Sequence, residues 1–256
     1  MTPARAAGGR VSGAAASDPG AAAPAARRVL APLPPRRPGV TAFAQVRDAL
    51  GASIAAGGPA PGRVLTVEEV VGATGASRSV VREAMGVLAS MGLLSPRRRV
   101  GFTVEPRSRW NVVDPLLVRW GLDGPERDRW LRDLAELRLG LEPEAARLAA
   151  LRIGPEAAAD LVAAAGRMSA SRADPEAFYQ DDAHFHRVLL EAAGNPLYAH
   201  LVDVVLAVLR ERASHEPPPE EDVRLHLDLA RHVRAGASDE AAAVMREIVG
   251  RTTPGT

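Results

Sequence analysis

From Thr41 onward, apolar side chains recur at spacings of three and four: Phe43, Val46, Ala49, Leu50 and Ile54. That period places them on one face of a helix. Gly57-Gly58-Pro59 stops it, and Pro61-Gly62 makes a turn. Thr66, followed three residues later by Glu69, has the form of a capping box and predicts a short helix over 67–73, ended by Gly75. Ser77 then caps a second helix, whose buried face is Val80, Val81, Ala84, Met85, Leu88 and Ala89 and which closes at Gly92. Leu93-Leu94-Ser95 and Phe102-Thr103-Val104 predict two small strands around a loop, 96–101, that carries Arg97, Arg98 and Arg99.

The pattern changes on either side of this unit. Residues 1–38 are mostly Ala, Pro, Gly and Ser with six Arg and one Asp, too poor in large apolar groups to order, and are expected to form a disordered arm. Residues 108–124 have the look of a linker, with Pro115 and a tight Asp123-Gly124-Pro125. Beyond it the helical period runs almost unbroken, predicting helices near 126–152, 155–169, 175–193, 196–214, 220–235 and 238–250. Gly154-Pro155, Asp174-Pro175, Asn195-Pro196, Pro217-Pro218-Pro219 and Gly236 supply the breaks. The fold class is therefore mostly α: a winged helix-turn-helix over 39–107, the linker, and an all-helical bundle over 125–251.

Composition narrows the function classes. Cysteine is absent, which excludes disulfides, thiolate catalysis and cysteine metal sites. No apolar run approaches the ~20 residues of a membrane span, and the arginines of the N-terminus precede no apolar core of a secretory signal. A cytoplasmic protein with no membrane partner is expected. All 32 basic residues are arginine, the mark of GC-rich coding. The net charge of +1 conceals a division: residues 1–109 hold 15 Arg against 6 acids, and residues 110–256 hold 17 Arg against 25 acids. A basic N-terminal part suits a polyanion, and an acidic remainder suits something else.

The segment Gly75-Ala76-Ser77-Arg78-Ser79-Val80-Val81-Arg82-Glu83-Ala84-Met85 resembles the recognition helix of GntR-type bacterial transcription regulators, and Pro61-Gly62, Leu65-Thr66 and Met91-Gly92-Leu93-Leu94 fit in register. Ser77, Arg78, Ser79 and Arg82 fall in the first two turns, the end that enters a major groove. Arg78 and Arg82 project from one side, where a guanidinium fork can pair with guanine O6 and N7. Ser77 and Ser79 suit phosphate oxygens or the helix cap, and Arg97, Arg98 and Arg99 of the wing suit backbone or minor groove. Glu68 stands where many relatives carry a DNA-contacting arginine, so that contact is expected to be missing.

The later helices resemble the FCD ligand-binding domain of the FadR subgroup. The resemblance is carried by Glu136-Leu137-Arg138-Leu139-Gly140-Leu141-Glu142-Pro143-Glu144-Ala145-Ala146, by Asp182-Ala183-His184-Phe185-His186, by Glu191-Ala192-Ala193-Gly194-Asn195-Pro196 and by His226 with Gly236. Trp110-Asn111-Val112-Val113-Asp114-Pro115 looks closest to the branch that senses sugar acids such as galactonate. Asp182 and His186, four apart, share a helix face about 40° wide, whereas His184 points away, to the surface or an interface. The resemblance implies that Asp182, His186 and His226 bind a divalent metal such as zinc, nickel or manganese. The family's fourth ligand falls on Ile248, and the neighbouring Glu247 is rotated by ~100°. Three residues can hold a metal completed by water, can hold a ligand directly, or can be satisfied core histidines. Arg138 either grips an effector carboxylate or pairs on the helix surface with Glu142. Asn195 joins the candidate effector residues.

These readings imply a regulator, a repressor in the first instance, that binds a short palindromic operator as a homodimer and answers to a small carboxylate such as a sugar acid. The alternative is a metal-dependent enzyme built on Asp182, His186 and His226, and a purely structural interaction protein is third.

Overall fold

The computed structural model describes residues 39–212 and 218–251; the expected disordered arm, 1–38, and the end of the expected helix 196–214 lie outside the described residues. Helix α1 (Ala42–Ala55) starts where Oγ1 of Thr41 accepts the amide of Ala44 at 3.1 Å, and it buries Val46, Leu50 and Ile54. The capping box forms as expected. Oγ1 of Thr66 accepts the Glu69 amide at 3.1 Å, and Glu69 accepts the Thr66 amide at 2.7 Å, which starts α2 (Val67–Thr74). Gly75 ends that helix at φ 67°, a left-handed conformation that strains residues bearing a side chain. Ser77 caps α3 (Arg78–Ser90) through the Val80 amide.

The wing consists of antiparallel β2 (Leu94–Arg97) and β3 (Gly101–Val104), with Ser95 opposite Thr103. A third strand, β1 (Val64–Leu65), pairs along the other edge of β3 and completes the order β1-β3-β2. Two residues are too few for an alternating pattern, so the sequence carried no sign of this strand.

The stretch expected as a linker is folded. After a 3-10 turn at Arg107–Arg109, Asp114 Oδ1 accepts the Leu116 amide at 2.9 Å and starts α4 (Pro115–Leu122). Leu117, Val118, Trp120 and Leu122 of α4 are buried in one continuous cluster with Leu50 and Ile54 of α1 and with Trp130, Val204 and Val208 of the bundle. Gly51 makes room for the Trp120 ring, which a Cβ at that position would overlap. Asp48 pairs with Arg119 at 3.1 Å. Arg107 sits 4.4 Å from the centroid of Trp130 and pairs with Glu126 and Asp133 at 3.1 and 3.2 Å.

The bundle comprises α5 (Arg127–Arg152), α6 (Pro155–Ser171), α7 (Pro175–Ala192), α8 (Pro196–His200), α9 (Val202–Arg212), α10 (Glu220–Ala235) and α11 (Ser238–Arg251). The span expected as one helix from Pro196 is divided between α8 and α9 at Leu201. Proline opens α6, α7 and α8; Asp174 and Asn195 cap the last two, accepting amides at 3.0–3.2 Å. Helix α5 packs on α11, α7 and α10. Phe185, Leu189, Leu225, Leu229, Met245 and Ile248 fill one core of the bundle, each worth about 1.5–3 kcal/mol when removed from water. Among the described residues no helix is long and apolar enough to cross a membrane.

Candidate functional site

Two surfaces carry the chemistry. In the N-terminal unit, Val81, Ala84, Met85 and Leu88 anchor one side of α3 in the core, so Arg78, Ser79 and Arg82 face solvent on the other. Ser77 and Ser79 place their Oγ atoms 3.0 Å apart at the helix start. Arg97, Arg98 and Arg99 are exposed at the wing turn, where Arg99 takes a left-handed φ of 61°. Glu68 is not idle: its Oε1 lies 3.2 Å from Nη1 of Arg78.

Inside the bundle, α7 and α10 bring Asp182, His186 and His226 together. One ligand atom from each lies within 4.8 Å of the others. Nε2 of His186 and Nε2 of His226 stand 3.5 and 3.3 Å from the same oxygen, Oδ1 of Asp182, and neither closes a hydrogen bond. Nδ1 of His226 is 2.6 Å from the carbonyl oxygen of Asp222. A carbonyl can only accept, so Nδ1 donates and a neutral His226 ring keeps its lone pair on Nε2. Buried imidazole nitrogens without hydrogen bonds, facing a carboxylate, are a donor set that fits a divalent metal. The ring of Phe185 stands edge-on to both imidazoles, at 5.9 and 5.1 Å, and Ile248 belongs to the same aliphatic cluster.

Behind His186 lies the Arg138–Glu142 pair, for which the sequence offered either an effector grip by Arg138 or a pairing on the helix surface. Arg138 and Glu142 do bond to each other one helical turn apart, but at 2% and 0% exposure. Glu142 Oε2 also reaches within 2.7 Å of His186 Nδ1, off the direction in which the ring nitrogen would donate. Glu142 is thus the member of the cluster that the sequence reading missed. The signal was present: Leu131, Leu134, Ala135, Leu141, Ala145 and Ala149 mark the buried stripe of α5, and positions 138 and 142 fall on it.

The electrostatics follow from burial and neighbours. Burial pushes the Glu142 carboxyl up, but the charges of Arg138 and His186 outweigh it and bring it down to about 2. Burial works against charge on His186, yet Glu142 and Asp182 raise it to about 9. Asp182 is likewise driven below the usual carboxylate range, the two imidazoles overcoming its desolvation. The remaining candidates lie elsewhere. Asn195 uses its side-chain oxygen to cap α8, and His184 pairs with Asp160 at 2.8 Å on the exposed side of α7.

The model of bacterial regulatory proteins of the gntR family matches residues 43–104, and the FCD domain model matches residues 133–251. This chain is a member of the GntR family with an FCD domain. It is a DNA-binding transcription regulator, not an enzyme, and regulators of this family bind operator DNA and small-molecule effectors. Over 205 residues, 77% of the chain, it is 29% identical to 90% of the galactonate operon transcriptional repressor of Escherichia coli (strain K12). It is 32% identical over 139 residues to the uncharacterized HTH-type transcriptional regulator YieP of the same organism, covering 53% of the chain and 60% of YieP. Among solved structures, the Listeria monocytogenes regulator Lar aligns with a TM-score of 0.52 at 18% identity, over 85% of this chain and 97% of Lar, which shows a shared fold.

Proposed function

We propose that this regulator is a repressor whose hold on its operator is set by a small carboxylate of the sugar-acid class, bound beside a divalent metal in the FCD bundle. The observation that carries the reading is the donor set of Asp182, His186 and His226, with both histidines buried. These three would hold zinc, nickel or manganese, all of which accept mixed imidazole and carboxylate donors. When bound, the ion supplies positive charge and coordination positions for an effector's oxygens. Ile248 offers no donor, so water or an effector oxygen would complete the shell. Arg138 already shares its charge with Glu142, so the metal, more than Arg138, matches the effector's carboxylate. The galactonate operon repressor among the relatives supports the choice of ligand class.

On the DNA side, Arg78 and Arg82 read base edges, Ser77 and Ser79 take phosphate oxygens, and the wing arginines take backbone or minor groove. A homodimer joined through the acidic bundle would present two such helices to a short palindrome. The test combines elemental analysis of tag-free protein, thermal shift against a panel of sugar acids with and without chelator, and a mobility shift on the DNA upstream of its own gene. Stoichiometric metal, a chelator-sensitive shift and release of that DNA are expected. A metal-free protein stabilised equally by the same acid after chelation would overturn the metal part of the reading.

A further inference from the structure

Glu68 stands on the first turn of α2, and Arg78 is the first residue of α3; the ion pair between them bridges the turn of the helix-turn-helix. Both side chains are largely exposed, at 60% and 72%, so the pair contributes little to stability. Its placement matters more than its strength. Arg82, Arg97, Arg98 and Arg99 are exposed as well, and among the described residues none of them has a carboxylate partner. Of the arginines expected at DNA, Arg78 is the one held by an acid.

We infer that Glu68 is a specificity-determining residue of operator recognition, acting through Arg78. The inference rests on α3 being the DNA-reading helix. A guanidinium has five N–H donors in a rigid fork, and the Glu68 carboxylate lies 3.2 Å from its Nη1 end as an ion pair rather than a hydrogen bond. The nearby carboxylate offsets part of the Arg78 charge, so a phosphate, whose pull on arginine rests chiefly on charge, gains less from it. The unoccupied donors keep their direction. They still suit a guanine edge, which is neutral and presents O6 and N7 in the plane of the fork. Glu68 therefore suppresses the sequence-independent part of Arg78 binding and leaves the base-reading part.

The experiment uses the full chain and two duplexes: one enriched by the wild-type protein from a random library, and a shuffled version of the same composition. Affinities are measured across a salt series for wild type, Glu68→Gln, Arg78→Ala and the double variant. Glu68→Gln should tighten the shuffled duplex about tenfold and the selected one about twofold, and steepen the salt slope by about 0.9, as one more phosphate contact demands. In the Arg78→Ala background the same substitution should change neither quantity. An unchanged preference and slope in Glu68→Gln overturns the inference. So does equal tightening in the Arg78→Ala background, which would mean that Glu68 repels phosphate directly. Wild-type binding of the selected duplex by Arg78→Ala alone would instead remove α3 from the DNA, a failure seen without any change at Glu68. Glu68 is exposed and glutamine matches its size, so the melting temperature should stay at the wild-type value.

Discussion

Gly51 in α1 lies so close to the six-membered ring of Trp120 in α4 that a methyl group on Gly51 would overlap it. The contact fastens the DNA-binding unit to the helix that leads into the bundle. Gly51→Ala should therefore cost about 1–3 kcal/mol, the usual result of overpacking a filled site. Gly72, exposed on α2 with open space where a Cβ would go, is the control. Gly72→Ala should stabilise by about 0.5–1 kcal/mol through helix propensity. Urea denaturation reads both. Equal midpoints for Gly51→Ala and wild type would mean that α1 and α4 do not meet this way in solution.

Arg82 is exposed on the side of α3 opposite its buried face. Arg82→Ala should weaken operator binding by about 1–3 kcal/mol with no change in melting temperature. Replacing Arg97, Arg98 and Arg99 together should weaken all DNA sequences alike and flatten the salt dependence. A quantitative mobility shift at two salt concentrations separates the two patterns. Loss of sequence preference in the wing variant would reassign base reading to the wing.

Periodicity and caps were enough to place the recognition helix and most of the bundle, because α3 and the long helices repeat their apolar spacing over several turns. Shorter elements escaped. In β1 only Val64 and Leu65 pair, and Leu201 breaks the expected helix without glycine or proline. Helix α4 hid behind its flanking Pro115 and Asp123-Gly124-Pro125, although Leu117, Val118 and Trp120 follow helical spacing. Within the candidate site, Asp182, His186 and His226 were legible from spacing and family resemblance. The depth of Arg138 and Glu142 was not, because an arginine and a glutamate four apart are the ordinary marks of a solvated face. Only their register with the buried stripe of α5 distinguishes them.

The Arg138–Glu142 pair gives a sharper prediction about stability. Glu142→Ala alone takes the carboxylate from beside a buried guanidinium and should cost about 3–5 kcal/mol. Arg138→Met combined with Glu142→Leu removes both charges at similar volume and should come within about 1 kcal/mol of wild type or exceed it. Chemical denaturation of the two variants decides it. If the single and double variants lose the same stability, the pair is not desolvated in solution.

Histidine 186 makes the fold sensitive to pH. Its group is raised from the ordinary 6.5 to about 9, so its charge stabilises the metal-free fold fully below about pH 6.5, and that stabilisation is lost as pH rises toward 9. The chelated protein should therefore melt at lower temperature at pH 9 than at pH 6.5. Metal must displace the proton from this ring, so metal affinity should run the other way, rising about tenfold per pH unit over the same window. Melting curves and zinc titrations across the window test both directions. A flat melting temperature for the chelated protein would mean that His186 is neutral in the fold.

Ile248 is buried among the aliphatic residues beside Phe185. Ile248→His should add an imidazole donor to the set of Asp182, His186 and His226 and tighten zinc by about 10–100-fold, at a cost of about 1–3 kcal/mol to the metal-free protein. Competition with a chelating dye measures the first and denaturation the second. Unchanged zinc affinity would place position 248 out of reach of the ion.

The continuous core running from α1 through α4 to Trp130, Val204 and Val208 decides where this protein can be cut and rejoined. A protease given the folded chain should find no easy site within Pro115–Leu122, since the peptide bonds there are helical and five of the eight residues are buried. A chimaera that grafts this DNA-binding head onto another sensor must carry α4 with it and supply partners for Trp120. A junction made after residue 107, where the sequence pattern would put it, would strip the Trp120 ring from Gly51 and uncover the face of α1 that α4 packs on.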